Sequence, residues 1–157
     1  MQSQVLVVAL PLEDDQLTPL HEWGKKFDFT HVKEVHFVHV VKKNITPLEF
    51  GMVESPDEST YKEMLPTLNQ FLKEESKQIL PQDYRGRVEF HITKDFNPEE
   101  EFIEILKNVG ATLTVVSTRG KSGLAGFFSS SFTEYMVKHA PCDVFVVRGH
   151  EELSQTA

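Results

Sequence analysis

A chain of 157 residues with 39% hydrophobic and 25% charged residues has the size and balance of one globular domain with a sizeable core, which excludes disordered and fibrous classes. The formal net charge of −8 disfavours nucleic acid and anionic membrane surfaces as partners, because both demand clustered Lys and Arg. The one cysteine, Cys142, has no partner for an internal disulfide and reads as a buried, inert thiol in a reducing cytoplasm.

The first apolar run, Val5 to Leu10, is continuous, as expected of a parallel strand covered on both faces. With Leu12 it lacks a basic start and a small-residue cleavage site, and it is too short to cross a bilayer, so neither export nor a membrane anchor is expected. A helix falls within Asp14 to Phe27, where Pro19 suits only an opening turn and Thr18 is an alternative cap. Val35 to Val41 is the second strand. It carries His36 and His39, which lie three residues apart and so face opposite sides of the sheet. Their spacing predicts no shared metal ion, the chain is expected to bind no metal, and His39 is expected to be a packed, hydrogen-bonded core histidine.

Ser55-Pro56-Asp57-Glu58 places a hydroxyl at an N-cap, proline at the first helical position and a glutamate three residues after the cap, so a helix is predicted to start there. Its apolar stripe runs from Tyr61 to Leu80, with Pro66 expected to kink or delay it. Val88 to Thr93 is the third strand. Asn97-Pro98-Glu99-Glu100 opens another helix, whose stripe is Phe102, Ile103 and Leu106, and Gly110 stops it. The carboxylates Glu99, Glu100, Glu101 and Glu104 complement the start of that helix as a solvated face. Leu113 to Ser117 and Val144 to Val147 complete five strands. A last helix is expected from Ser131, with Glu134 as its reciprocal partner, to the residues before Pro141.

The resulting βαβαβαβαβ string predicts a doubly wound, five-stranded parallel α/β sheet, Rossmann-like or flavodoxin-like, over residues 1–150, with a short polar tail at 151–157. Ligands of such sheets sit beyond the carboxyl ends of strands where the winding reverses. From Ser117 to Ser131 the segment gathers Gly120, Gly123 and Gly126, the cations Arg119 and Lys121, and five serines leading into the expected helix start. That is the chemistry of an anion site. The same residues also serve as turn glycines, solvated cations and a cap, and both readings stay open here. Asp14-Asp15 does not make a phosphoacceptor site, since the first strand ends in Leu10-Pro11 and no isolated aspartate follows a third strand. No Walker A, zincin or nucleophile-elbow motif occurs, and nothing commits the chain to catalysis.

Ser117-Thr118-Arg119-Gly120, nine further residues, then Ser130-Ser131 has the spacing of G-x2-G-x9-G-[ST]. It is followed by Lys138-His139-Ala140-Pro141-Cys142-Asp143-Val144-Phe145-Val146-Val147-Arg148. In these segments, and in Val35 to Val41, the chain resembles the universal stress protein family from Val5 to Arg148. The resemblance implies a non-enzymatic stress-response or regulatory protein, forming a homodimer through the Val144 to Val147 edge strand. In the family's ATP-binding members the first strand ends in an aspartate, whose place Leu10 takes here, and Ser117 and Ser130 replace two motif glycines. These departures resemble the branch that does not bind ATP. The alternative is an ATP- or AMP-responsive module in which the backbone of Val41 meets adenine. Gly120, Ser130 and Ser131, with Arg119 beside them, would then meet the phosphates. A nucleotide-using enzyme of the same broad fold is the third reading.

Overall fold

The computed structural model describes residues 3–118 and 124–149, with only the helical backbone given for 124–131. The chain order is β1 (Gln4–Ala9), α1 (Asp14–Lys26), β2 (Val32–Lys42), β3 (Asn44–Leu48), β4 (Gly51–Ser55), α2 (Glu58–Ile79), β5 (Arg87–Asp95), α3 (Pro98–Val109), β6 (Leu113–Thr118), α4 (Leu124–His139) and β7 (Asp143–Arg148). Five of the strands form one sheet in the order β5-β2-β1-β6-β7, with every neighbouring pair parallel. The expected α/β class and five-stranded parallel sheet are thus present, and the winding reverses between β1 and β6.

The strands' apolar runs are explained by helices on both faces. Leu6, Val8, Val35 and Phe37 pack with Leu17, Leu20 and Trp23 of α1 and Leu72 and Ile79 of α2. On the opposite face Val7, Val38 and Val116 meet Phe102, Ile103 and Leu106 of α3 and Met136 of α4. Because side chains alternate along a strand, neighbouring residues such as Phe37 and Val38 feed separate cores.

Asn97 caps α3 as expected, its side chain accepting from Glu100 N at 3.2 Å, and Gly110 closes the helix with φ 68° and ψ 42°. That left-handed conformation is the reason for glycine at Gly110.

Four expectations are corrected. The helix expected from Ser55 starts at Glu58, with Asp57 as its cap accepting from Thr60 N at 2.8 Å. Ser55 is instead engaged in a hairpin, β3 with β4, where it pairs with Asn44. That hairpin is an addition to the predicted string. Its strands are short, Pro47 interrupts one of them, and neither faces a core, so no periodic signal announced it. Proline is also tolerated more deeply in α1 than expected, since that helix runs through Pro19; α2 contains Pro66 within its length. Finally, α4 begins at Leu124, which puts Ser130 and Ser131 inside the helix instead of at its N-terminus. The apolar spacing of Leu124, Phe127, Phe128 and Phe132 continues the helical period back past the serines, and this outweighed their capping preference.

Among the described residues no helix is long and apolar enough to cross a membrane. Cys142 is half-buried, and burial, aided by the Asp143 carboxylate, pushes its thiol up to about 11. It is therefore a poor nucleophile near neutrality.

Candidate functional site

At the carboxyl ends of β1, β2 and β6, where the winding reverses, lies a cleft of about 180 Å³. Its walls come from both layers. Leu10 follows β1 and His39 comes from β2, while Phe102 of α3 and Phe132 of α4 close the opposite side. Gln16 of α1 and Ser117 of β6 complete the polar lining. No carboxylate or cation lines it among the described residues.

The backbone at Leu10 is fixed twice. Its N–H donates to Val38 O at 2.9 Å, and its carbonyl accepts from His39 Nδ1 at 2.8 Å. The second bond assigns the proton to Nδ1 and leaves Nε2 as a lone pair. Burial holds His39 below the ordinary histidine range, against the smaller opposing effects of the Leu10 carbonyl and of Glu13. His39 is therefore the neutral imidazole of the cleft at pH 7.

Ser117 presents the complementary feature. Its Oγ is buried without a hydrogen-bond partner among the described residues. Leaving a buried hydroxyl unpaired costs about 1–3 kcal/mol, so a ligand oxygen or nitrogen reaching it recovers that loss. An apolar cleft with one neutral imidazole, one amide and one unpaired hydroxyl suits a flat, partly polar guest. Among its described lining residues there is no paired acid and base for general acid–base catalysis.

The structure thus brings Leu10 and Ser117 together in one cleft. Val41 lies just beyond the lining: its side chain packs against Tyr61 and Leu68 of α2, and it pairs with Lys94 of β5. Arg119 and Gly120 lie outside the described residues, as do the side chains of Ser130 and Ser131. His39 was expected in the core and is hydrogen-bonded as foreseen, but it is only half-buried and faces the cleft. The fully buried histidine is His36, at 2% exposure. Cleft residues missed in the sequence, Gln16, Phe102 and Phe132, carry no motif, and only the strand order makes them neighbours.

The desolvation of His39 has a measurable consequence. Unfolded histidine takes up its proton near 6.5, whereas the folded chain resists protonation to lower pH. The stability associated with neutral His39 is therefore complete above about 6.5 and is lost as pH falls through the lower folded value. His91, lowered by burial and by His36, adds in the same direction. His39→Gln keeps an N–H donor but does not titrate. Its melting temperature is expected to fall less between about pH 7 and pH 5 than that of the natural chain. An unchanged slope in parallel thermal melts would contradict this account of His39.

The fold, taken with its likeness to known proteins, defines a class. The family model described as "Universal stress protein family" matches residues 4–148, and the chain belongs to that family. A Staphylococcus epidermidis relative assigned to the universal stress proteins is 38% identical over 65 residues, which is 41% of this chain and 37% of that relative. A Staphylococcus aureus relative is 35% identical over 69 residues, 44% of this chain and 39% of its own length. The matched segment therefore spans less than half of these relatives. Among solved structures, a universal stress protein in complex with cAMP superposes with a TM-score of 0.63 at 17% identity, covering 95% of this chain and 99% of that one. The Archaeoglobus fulgidus universal stress protein in complex with dAMP gives 0.53 at 17% identity, covering 94% and 99%. At such identities these likenesses establish the fold.

Proposed function

We propose that this universal stress protein is a non-enzymatic, cytoplasmic regulatory protein that holds a small ligand in the cleft between β1, β2 and β6, with adenine nucleotides as low-affinity guests. The observation that carries the reading is the cleft itself. It sits at the switch point and offers apolar walls with the unpaired Ser117 hydroxyl, yet presents no acid and base pair among its described residues. Relatives of the same fold hold cAMP and dAMP, which supports a nucleotide as the class of guest.

A base would lie between Phe102, Phe132 and the end of β2, near the backbone at Val40 and Val41. The phosphates would run toward Ser117 and the segment containing Arg119, Gly120, Ser130 and Ser131. What is lacking is an anchor for the sugar. Leu10 occupies that corner at 3% exposure and contributes no side-chain acceptor. Losing one such bond in a desolvated site costs about 1–3 kcal/mol, roughly ten- to a hundredfold in affinity. Calorimetric titration with Mg-ATP, AMP and cAMP, run beside a phosphate-release assay, tests the proposal. Dissociation constants no tighter than about 0.1 mM, with no phosphate released, are expected. Micromolar ATP binding would favour the nucleotide-responsive reading, and steady turnover would overturn the non-enzymatic one.

The proposal includes a homodimer through Val144 to Val147. Among the described residues β7 is an edge of the sheet, with one row of backbone groups unpaired by any neighbouring strand. Phe145 is 45% exposed and lies edge-on to Trp23 at 5.8 Å, giving the edge an apolar anchor for a symmetry mate. Phe145→Glu is expected to weaken self-association at least about tenfold, because it sets two like charges across a two-fold axis. Light scattering over a concentration series reads the shift, and a natural chain that stays monomeric throughout would remove the dimer from the proposal.

A further inference from the structure

On the face of the sheet beneath α3, four side chains from two neighbouring strands converge. His36 of β2 lies opposite Glu89 of β5, and His91 stands two residues further along β5 on the same face. His36 Nε2 is 2.8 Å from Glu34 Oε1, so that nitrogen carries the proton and donates it to the carboxylate. The other nitrogen, Nδ1, is then a lone pair. It faces His91 Nε2 at 2.8 Å and Glu89 Oε2 at 3.4 Å. A proton on His91 Nε2 satisfies the imidazole contact but leaves the Glu89 carboxylate, whose other oxygen pairs with Arg87, aimed at that lone pair; a second proton on the His36 ring or a metal cation between the donors removes the conflict.

We infer that His36 Nδ1, His91 Nε2 and Glu89 Oε2 form a binding site for a divalent transition metal of the zinc type, with Glu34 as the residue that orients His36. The three donor atoms lie within 4.8 Å of one another. A tetrahedral ion with bonds of about 2.0–2.1 Å holds its ligand atoms about 3.3 Å apart. The Glu89 contact already has that separation, and the imidazole pair reaches it by opening about half an ångström. The ion takes the place of the proton shared by the two rings, and a fourth position stays open to water. Two imidazoles and one carboxylate select zinc-like ions over magnesium or calcium, which prefer all-oxygen sets. Glu34 supplies the outer carboxylate that typically fixes a ligating histidine. The site shares no residue with the cleft. It clips β2 to the edge strand β5, so loading should also register as stability.

This assignment reverses the expectation that the chain binds no metal. That expectation considered His36 only with His39, which faces the other side of the sheet, and not with a histidine brought alongside by β5. The test uses the full chain, stripped with a chelator and titrated with Zn2+ by calorimetry. One ion per chain is expected, with a dissociation constant of about micromolar or tighter. At a hundredfold excess over that constant the melting temperature should rise by about 5–10 °C. Co2+ should give the visible absorption of a tetrahedral site. His91→Ala and Glu89→Gln are each expected to weaken Zn2+ binding at least about tenfold, and Glu34→Gln by about ten- to a hundredfold. Glu89 is partly exposed, so Glu89→Gln decides the matter if His91→Ala does not fold. Absence of stoichiometric Zn2+ binding, or affinity unchanged in the Glu89 and His91 variants, would overturn the inference.

Discussion

Gly24→Ala is expected to destabilise the fold by about 2 kcal/mol, although alanine is the better helix former. Gly24 is buried in α1 where that helix crosses the end of α2. A Cβ at this position would stand 2.3 Å from Ile79 O and 3.0 Å from its C and Cα, all backbone atoms that no rotamer change can move aside. The helices must separate, and the contacts of Leu20 and Trp23 with Leu72 and Ile79 loosen with them. Overpacking of this kind costs up to about 3 kcal/mol, against about 1 kcal/mol gained from helix propensity. The net loss corresponds to a melting temperature lower by about 4–8 °C for a chain of this size. Gly110→Ala is the comparison, since nothing lies within 4 Å of an added Cβ there and only its left-handed φ of +68° opposes substitution, at about 1 kcal/mol. Urea and thermal unfolding of the two variants should rank Gly24→Ala as the more damaging. Equal or smaller loss at Gly24 would mean that α1 and α2 give way freely.

The same close approach shows why some of the fold was legible and some was not. Apolar runs such as Val5 to Leu10 and the Asn97 cap with its Gly110 stop are local signals, and local physics settles them: a strand buried on both faces has no polar phase, and a left-handed C-cap favours glycine. Strand order is not local. The neighbours that make the cleft, Leu10, His39, Phe102 and Ser117, come from four separate elements, and only the reversal between β1 and β6 assembles them. The histidines illustrate the same divide. Alternation along β2 correctly put His36 and His39 on opposite faces, but which one met solvent depended on what lay above each face, and the partner of His36 came from β5. At Ser55 and Ser131 good capping residues lost to longer-range demands, hairpin pairing in one case and an extended apolar stripe in the other. The serine- and glycine-containing segment that carries the family resemblance lies largely outside the described residues.

Leu10→Asp should strengthen nucleotide binding about ten- to a hundredfold while weakening the fold by about 3 kcal/mol. Leu10 belongs to the core with Leu6, Val8 and Leu17, and it also lines the cleft, so its side chain serves packing and ligand wall at once. Removing the leucine forfeits about 1.5–3 kcal/mol of burial, and seating a carboxylate at so enclosed a position adds a desolvation cost. The backbone there stays anchored, because Val38 O and His39 Nδ1 hold the main chain and not the side chain. The carboxylate gains two things in return: a neutral imidazole nearby whose proton affinity it raises, and a position from which to accept a hydrogen bond from a sugar hydroxyl. A hydrogen bond to a charged acceptor in a desolvated site is worth about 1.5–3 kcal/mol, which sets the expected gain. Leu10→Asn separates the hydrogen bond from the charge, since it offers an acceptor without ionising. Titration of all three forms with Mg-ATP, each first shown to be folded by circular dichroism, reads the outcome directly. Affinity rising in the order leucine, asparagine, aspartate would identify this corner as the missing sugar anchor. A folded Leu10→Asp that binds no better than the natural chain would place the nucleotide elsewhere or close the cleft to it altogether.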